Sequence, residues 1–144
     1  MVRVSSCLCA IPVSWVVETM RPLPVQSVAG TPDYVLGMAL VRGQPTPVIH
    51  LARLLTQAEN TAFQRYVLLR TVPRPVALAV GAVLGVEDLP GNFLQDLPPL
   101  LQNTSPEILA GIGAADQHLL LILRETRLLT PELEALFAAR EAGR

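Results

Sequence analysis

His50 and His118 are the only histidines of this chain, and Cys7 and Cys9 its only cysteines. Nucleophilic catalysis needs a Ser or Cys beside a base that is itself held in place. No Ser sits in a G-x-S-x-G elbow. His50 ends an apolar run and is expected to meet solvent at a strand edge, and His118 sits in "AADQHL", which reads as a hairpin turn. A metal site needs three or four ligands of matched softness. Two cysteines at i,i+2 and two distant histidines do not form such a set. On a strand Cys7 and Cys9 point to one face, too close along an extended chain to pair, so both read as reduced, packed thiols. "GIGAAD" (Gly111 to Asp116) imitates part of G-x-G-x-x-G but lacks the third Gly and precedes a strand. Glu87-Asp88 reads as a solvated acidic pair before a turn. The residues therefore assign no catalytic group, no metal and no cofactor, and a chain without them is expected to work through its surfaces.

One cation stands out. In "VLGMALVRGQPTPVIHL" (Val35 to Leu51), Arg42 interrupts two apolar runs and Gly43 follows it. Gly43 lets the chain turn, and Arg42 is the last residue before it. Placed there, the guanidinium can reach into a groove while Leu36, Leu40 or Val41 stay in the core. The plainer reading is an Arg that satisfies local carbonyls and holds the hairpin.

The elements that would position Arg42 are short. The chain has 144 residues, 51% hydrophobic and only 16% charged, enough for a packed core. Its net charge is −1, and all 11 basic residues are Arg. No basic field draws phosphate backbones, so a nucleic-acid partner is not expected. No apolar stretch reaches the roughly 18 residues of a membrane span, and no signal-peptide pattern opens the chain, so direct membrane insertion is not expected and a cytoplasmic location is. Thirteen Pro and nine Gly cut the sequence into short strand-like pieces, which predicts an all-β barrel or sandwich.

"RVSSCLCAI" reads as one strand, and "PVSWVVETM" as a helical turn followed by extended chain. "RPLPVQSVAGTPDY", with three Pro and a Gly, reads as extended loop with short strand pieces. Strands are predicted over Val35 to Val41 and Thr46 to His50, with a short helical turn in "LARLL". "FQRYVLLRTV" and "PVALAVGAVLGVEDL" follow, the latter broken near Gly81, then a Pro-rich loop over 90–104 and strands in "EILAGIGA" and "QHLLLIL". "TPELEALFAAREAGR" is the clearest helix, with Thr130 as N-cap, Pro131 at its first position, and Leu133, Leu136, Phe137 and Arg140 on one face. The sequence also echoes itself. A single shift that lays Gly37 on Gly111 also lays Arg53 on Arg127 and Leu54-Leu55 on Leu128-Leu129. This thin echo suggests two similar β subdomains, each ending in a strand and a helical turn.

Taken together, several motifs resemble the CheW-like family, the coupling scaffolds of bacterial chemosensory arrays. They are Ile11-Pro12-Val13, Val16-Val17-Glu18, Val28-Ala29-Gly30, Pro32, Val35-Leu36-Gly37, Arg42-Gly43, Pro47-Val48-Ile49 and Leu51. "VALAVGAVLGVEDL" and "ILAGIGAADQHLLLILRETRLL" extend the resemblance from about Arg3 to Leu136. The chain departs from the family at Leu40 (Asn there), Val41 (Leu), and His50, Gly81 and Arg124 (each Asp).

The resemblance implies a single domain over 1–144, made of two SH3-like five-stranded β-barrels and a C-terminal helix. It implies a non-catalytic adaptor joining the regulatory domain of a CheA-type histidine kinase to the cytoplasmic tip of a methyl-accepting chemoreceptor. By the same resemblance Gly37, Arg42 and Gly43 fall where the family meets the receptor, and Val16 and Glu18 where it meets the kinase. The departures leave room for a divergent regulator that binds the kinase-type domain without a receptor, as in a motility system.

Overall fold

Strands dominate the computed structural model, which describes residues 1–4, 7–56, 62–71, 74–86, 109–115, 118–123 and 131–142. β1 (Val2–Val4) and β2 (Cys7–Ala10) come first. A 3-10 turn (Val13–Trp15) leads into β3 (Val16–Met20). β4 (Val35–Val41), β5 (Gln44–His50) and the short helix α1 (Leu51–Thr56) follow. Then come β6 (Arg65–Leu69), β7 (Val76–Val80) and β8 (Ala82–Val83). β9 (Leu109–Ala115), β10 (His118–Leu123) and the helix α2 (Pro131–Ala142) complete the order. The predicted loop over 90–104, the Thr130 cap and the Glu87-Asp88 pair lie outside the described residues.

The N-terminal "RVSSCLCAI" is two strands, not one: Val4 faces Cys7 and Val2 faces Cys9 in an antiparallel pair. The apolar residues on both sides hid the break, because no Gly, Pro, Asn or Asp stands between them to mark a turn.

The strands form two five-stranded sheets, β3-β6-β7-β5-β4 and β8-β1-β2-β10-β9. Read along these orders, the sheets match step for step. In each, the third and fourth strands are parallel (β7 with β5, β2 with β10) and every other pair is antiparallel. The match extends to register. The shift that lays Gly37 on Gly111 also lays Val35, where β4 begins, on Leu109, where β9 begins. A β-bulge leaves Leu36 unpaired in β4, and another leaves its counterpart Ala110 unpaired in β9. The sequence echo is thus carried by the pairing pattern, and bulges at equivalent positions are features of construction rather than accidents.

Chain order differs between the sheets. β3 to β7 build the first from one continuous stretch. The second takes β1 and β2 from the start of the chain and β8 to β10 from later on. The chain crosses between them at Ile11-Pro12 and at Gly81, whose N–H donates to the Arg3 carbonyl at 2.9 Å. A Cβ on Gly81 would lie 3.1 Å from that oxygen, so the crossing favours a residue without a side chain.

Both sheets contribute to one large apolar core: Val2, Val4, Cys9, Leu121 and Leu123 from the split sheet, and Trp15, Ile49, Val67, Leu69 and Leu78 from the first sheet or its flanks. The opposite faces carry smaller private clusters, around Val48, Tyr66 and Ala77 in one case and Leu8, Leu120 and Ile122 in the other. β7 is buried on both faces, which explains its unbroken apolar run. α2 follows the split sheet yet reaches the β6–β7 connection, where Glu134 pairs with Arg74 at 2.6 Å. Leu133 and Phe137 enter the shared core, and Leu136 packs at its margin, as the predicted apolar stripe requires.

Candidate functional site

The β4–β5 hairpin sets Arg42. Val41 pairs with Gln44, so the loop is Arg42 and Gly43 alone. Both have positive φ, 50° and 81°, as a type I′ turn demands. Arg42 is therefore inside the turn, not the last strand residue before it. An Arg in the left-handed region costs roughly 1 kcal/mol relative to a residue suited to it. Its side chain is 76% exposed, and its guanidinium pairs with the carboxylate of Glu18 in β3, whose side chain is 27% exposed. An exposed ion pair contributes about 1 kcal/mol or less. Stability alone thus gives little reason for an Arg in this turn.

β3 and β4 are opposite edges of the first sheet, so the Arg42–Glu18 pair spans the seam where the sheet curls toward itself. Backbone bonds close the same seam further along. Gln26, beyond β3, donates to Met38 at 2.8 Å and accepts from it at 2.9 Å. Gly37 lies next to that bridge with φ 138°, and a Cβ there would fall 2.2 Å from the Gln26 carbonyl oxygen. At Gly37 the backbone therefore makes its close approach to this chain's own Gln26. Gly43 has open space around it, and its need for Gly comes from φ alone.

Val16 lies apart from the turn. It lines a mainly apolar cavity of about 330 Å³ where the two sheets meet, with Val13 and Val67 on one side and Val2, Val83 and Ile122 on the other. Val13 and Val86, which also line it, are among the most exposed large apolar side chains described. The structure therefore joins Glu18 to Arg42 through an ion pair and places Val16, close before Glu18 on the same strand, at the cavity.

Two expectations about neighbouring side chains are corrected. Leu40 is 55% exposed rather than in the core, because it lies near the hairpin tip on the strand face opposite Ala39 and Val41. His50 is 2% exposed rather than solvated. Its Nδ1 accepts the backbone N–H of Arg53 at 3.3 Å, capping α1, and its ring meets Phe63 edge-on at 5.5 Å. The Asx-like capping position after "PVI" was the signal that could have found this. The side chains of His118 and Arg140, and Arg124 altogether, lie outside what is described.

Cys9 is buried and Cys7 partly so, as expected of packed thiols. Burial pushes the Cys9 thiol up to about 12, the protonated and unreactive form. Burial also raises the Tyr34 and Tyr66 hydroxyls. Among the described residues no cluster of three or more His, Cys, Asp or Glu is arranged to hold a metal ion. No helix among them is long and apolar enough to cross a membrane.

With this geometry in view, residues 1–132 match the model of the CheW-like domain. Over 117 residues the chain is 29% identical to the chemotaxis protein CheW of Klebsiella aerogenes, covering 78% of this chain and 69% of that one. Over 121 residues it is 27% identical to a probable chemotaxis protein CheW of Rhizobium etli, covering 83% and 73%. The solved structure of the scaffolding protein TtCheW from Thermoanaerobacter tengcongensis superimposes with a TM-score of 0.72 at 20% identity, over 85% of each chain. That likeness shows the fold: all-β, with two SH3-like subdomains, one on each five-stranded sheet.

Proposed function

From the premise that this chain belongs to the family of CheW-like domains, we propose that it is a non-catalytic cytoplasmic adaptor, acting as a single unit over residues 1–144. It couples a CheA-type histidine kinase to the cytoplasmic tip of a chemoreceptor. The observation that carries this reading is the turn at Arg42: a strained, largely exposed cation on the barrel seam, paired with Glu18. A guanidinium presented this way can exchange one carboxylate or carbonyl partner for another with little loss of stability. Arg42 and Gly43 form the receptor-facing part of this surface, with Gly37, buried against Gln26, closing the seam that supports them; Val16 and Glu18 form the part that meets the kinase's regulatory domain. Apolar burial supplies most of the affinity and the charges set register. Each contact is micromolar, about 8 kcal/mol or less, and assembly depends on multivalency.

The names of the relatives, a chemotaxis protein and a scaffolding protein, support the reading. Leu40 favours one alternative. Exposed beside Arg42 where the family carries Asn, it puts an apolar side chain on the receptor-facing hairpin, which suits a regulator that binds the kinase-type domain alone.

Pull-downs with a purified kinase regulatory domain and with a receptor-tip fragment separate these readings. The adaptor binds both. Arg42→Asn, which suits a type I′ turn, leaves the unfolding midpoint nearly unchanged and lowers receptor-tip affinity about tenfold, the ~1.4 kcal/mol of one charge-assisted contact. Binding the kinase domain alone supports the alternative, and binding neither overturns both.

A further inference from the structure

The middle of each sheet is filled by a hairpin, β6–β7 in the first and β1–β2 in the second, and the two are topological counterparts. β6–β7 comes from within the run of strands that it completes. β1–β2 does not: the whole first sheet separates it in sequence from β8, β9 and β10. Its covalent link to the rest of the fold is Ile11-Pro12 and the 3-10 turn beyond. Everything else that holds it in place is non-covalent. β1 pairs with β8, β2 pairs in parallel with β10, and Val2, Val4, Leu8 and Cys9 are buried. The slot between β8 and β10 cannot distinguish this chain's own hairpin from the identical hairpin of a second copy.

We propose that two copies of this chain exchange β1–β2, each hairpin completing the split sheet of the other, in a two-fold dimer that makes the monomer's strand pairs in trans. The hinge favours this. Pro12 is extended (φ −54°, ψ 128°), and its ring holds the chain straight as it leaves β2. Closing the hairpin back onto its own chain relies on the 3-10 turn, where Trp15 N–H donates to the Pro12 carbonyl at 3.0 Å. The hinge is short, and its Pro biases the chain toward the extended path that an exchanged hairpin follows. In the closed monomer the tethered hairpin has an effective concentration in the millimolar range. Exchange therefore occurs where chains are crowded, or where they meet before the hairpin has docked. It then persists, because reversal must expose the hairpin's buried side chains.

A disulfide reports which chain's hairpin fills the slot. Arg3 of β1 faces Ala82 of β8. Full-length chains with Arg3→Cys or Ala82→Cys, each with Cys7→Ala to remove the accessible thiol, are unfolded together, refolded at about 1 mM and oxidised. Exchange yields a disulfide-linked heterodimer on a non-reducing denaturing gel, several-fold more than when the chains are refolded separately and then mixed dilute. A chain with both substitutions, refolded dilute, closes the disulfide within itself. A heterodimer absent under these conditions overturns the proposal. Light scattering on the unmodified chain gives an independent reading. A dimer formed at high concentration that survives dilution supports exchange, provided Pro12→Gly lowers its yield several-fold. A monomer throughout, or a dimer unaffected by Pro12→Gly, overturns it.

Discussion

The first sheet is made from one unbroken run, Val16 to Val80, and its edges are drawn together by the Gln26–Met38 bridge and the Arg42–Glu18 pair. The second has the same strand order, pairing senses and bulge position, yet its central hairpin comes from the other end of the chain. One pairing pattern is thus reached by two chain orders. The consequence is kinetic and mechanical. The first sheet can close through contacts nearer in sequence, whereas the second waits for distant segments to meet. The shared core then ties the late sheet to the early one, since neither buries its inner face alone.

The comparison breaks most visibly at Ile49 and Leu123. Ile49 pairs with Val35 and Leu123 with Leu109, so the two hold equivalent positions, and both are buried in the shared core. Truncating either to Ala is expected to cost about 3–4 kcal/mol. Unfolding should stay a single transition in urea, with the fluorescence of Trp15, the only Trp, following the far-ultraviolet dichroism in both variants. If Leu123→Ala leaves the Trp15 transition where it was, the sheets are energetically separate.

The seam of the first sheet gives the next effect. Gly37→Ala forces a Cβ against the Gln26 carbonyl at a strained φ and is expected to cost about 2–3 kcal/mol. Gly43→Ala, strained in φ but sterically free, should cost only about 1 kcal/mol. Equal urea midpoints for the two variants would show that the seam contributes nothing beyond backbone strain.

The smallest effect reports on the hairpin of the split sheet. Burial raises the Cys9 thiol from 9.0 to about 12, so the folded chain keeps a proton that the unfolded chain releases above pH 9. This contribution to stability is complete below pH 9 and is lost as pH rises toward 12, by at most about 1.4 kcal/mol per pH unit. Tyr34 and Tyr66, also raised, act in the same direction. Cys9→Ala should therefore flatten, without abolishing, the fall in urea midpoint between pH 9 and pH 10.5. An unchanged slope would mean that the β1–β2 hairpin opens before the core unfolds.

Much of this was legible in the residues. β4 runs from Val35 to Val41 as its apolar pattern predicts, the chain breaks at Gly81, and Pro131 opens α2. Binary pattern and turn chemistry act over a few residues, so a linear reading captures them. The candidate site was legible only as separate residues. Val16 and Glu18 belong to one motif and Arg42 to another, and no local rule says that Glu18 and Arg42 touch.

Sequence by itself determined the short strands, the turn at Gly43, the apolar stripe of α2 and the internal echo, because propensity and periodicity are local. Tertiary structure alone decided that His50 is buried while Leu40 is exposed, that Gly37 faces Gln26, and that the N-terminal hairpin completes a sheet whose other strands come only after the whole first sheet. Each of these depends on which distant segment packs against a residue, and burial is a property of that neighbour as much as of the residue itself.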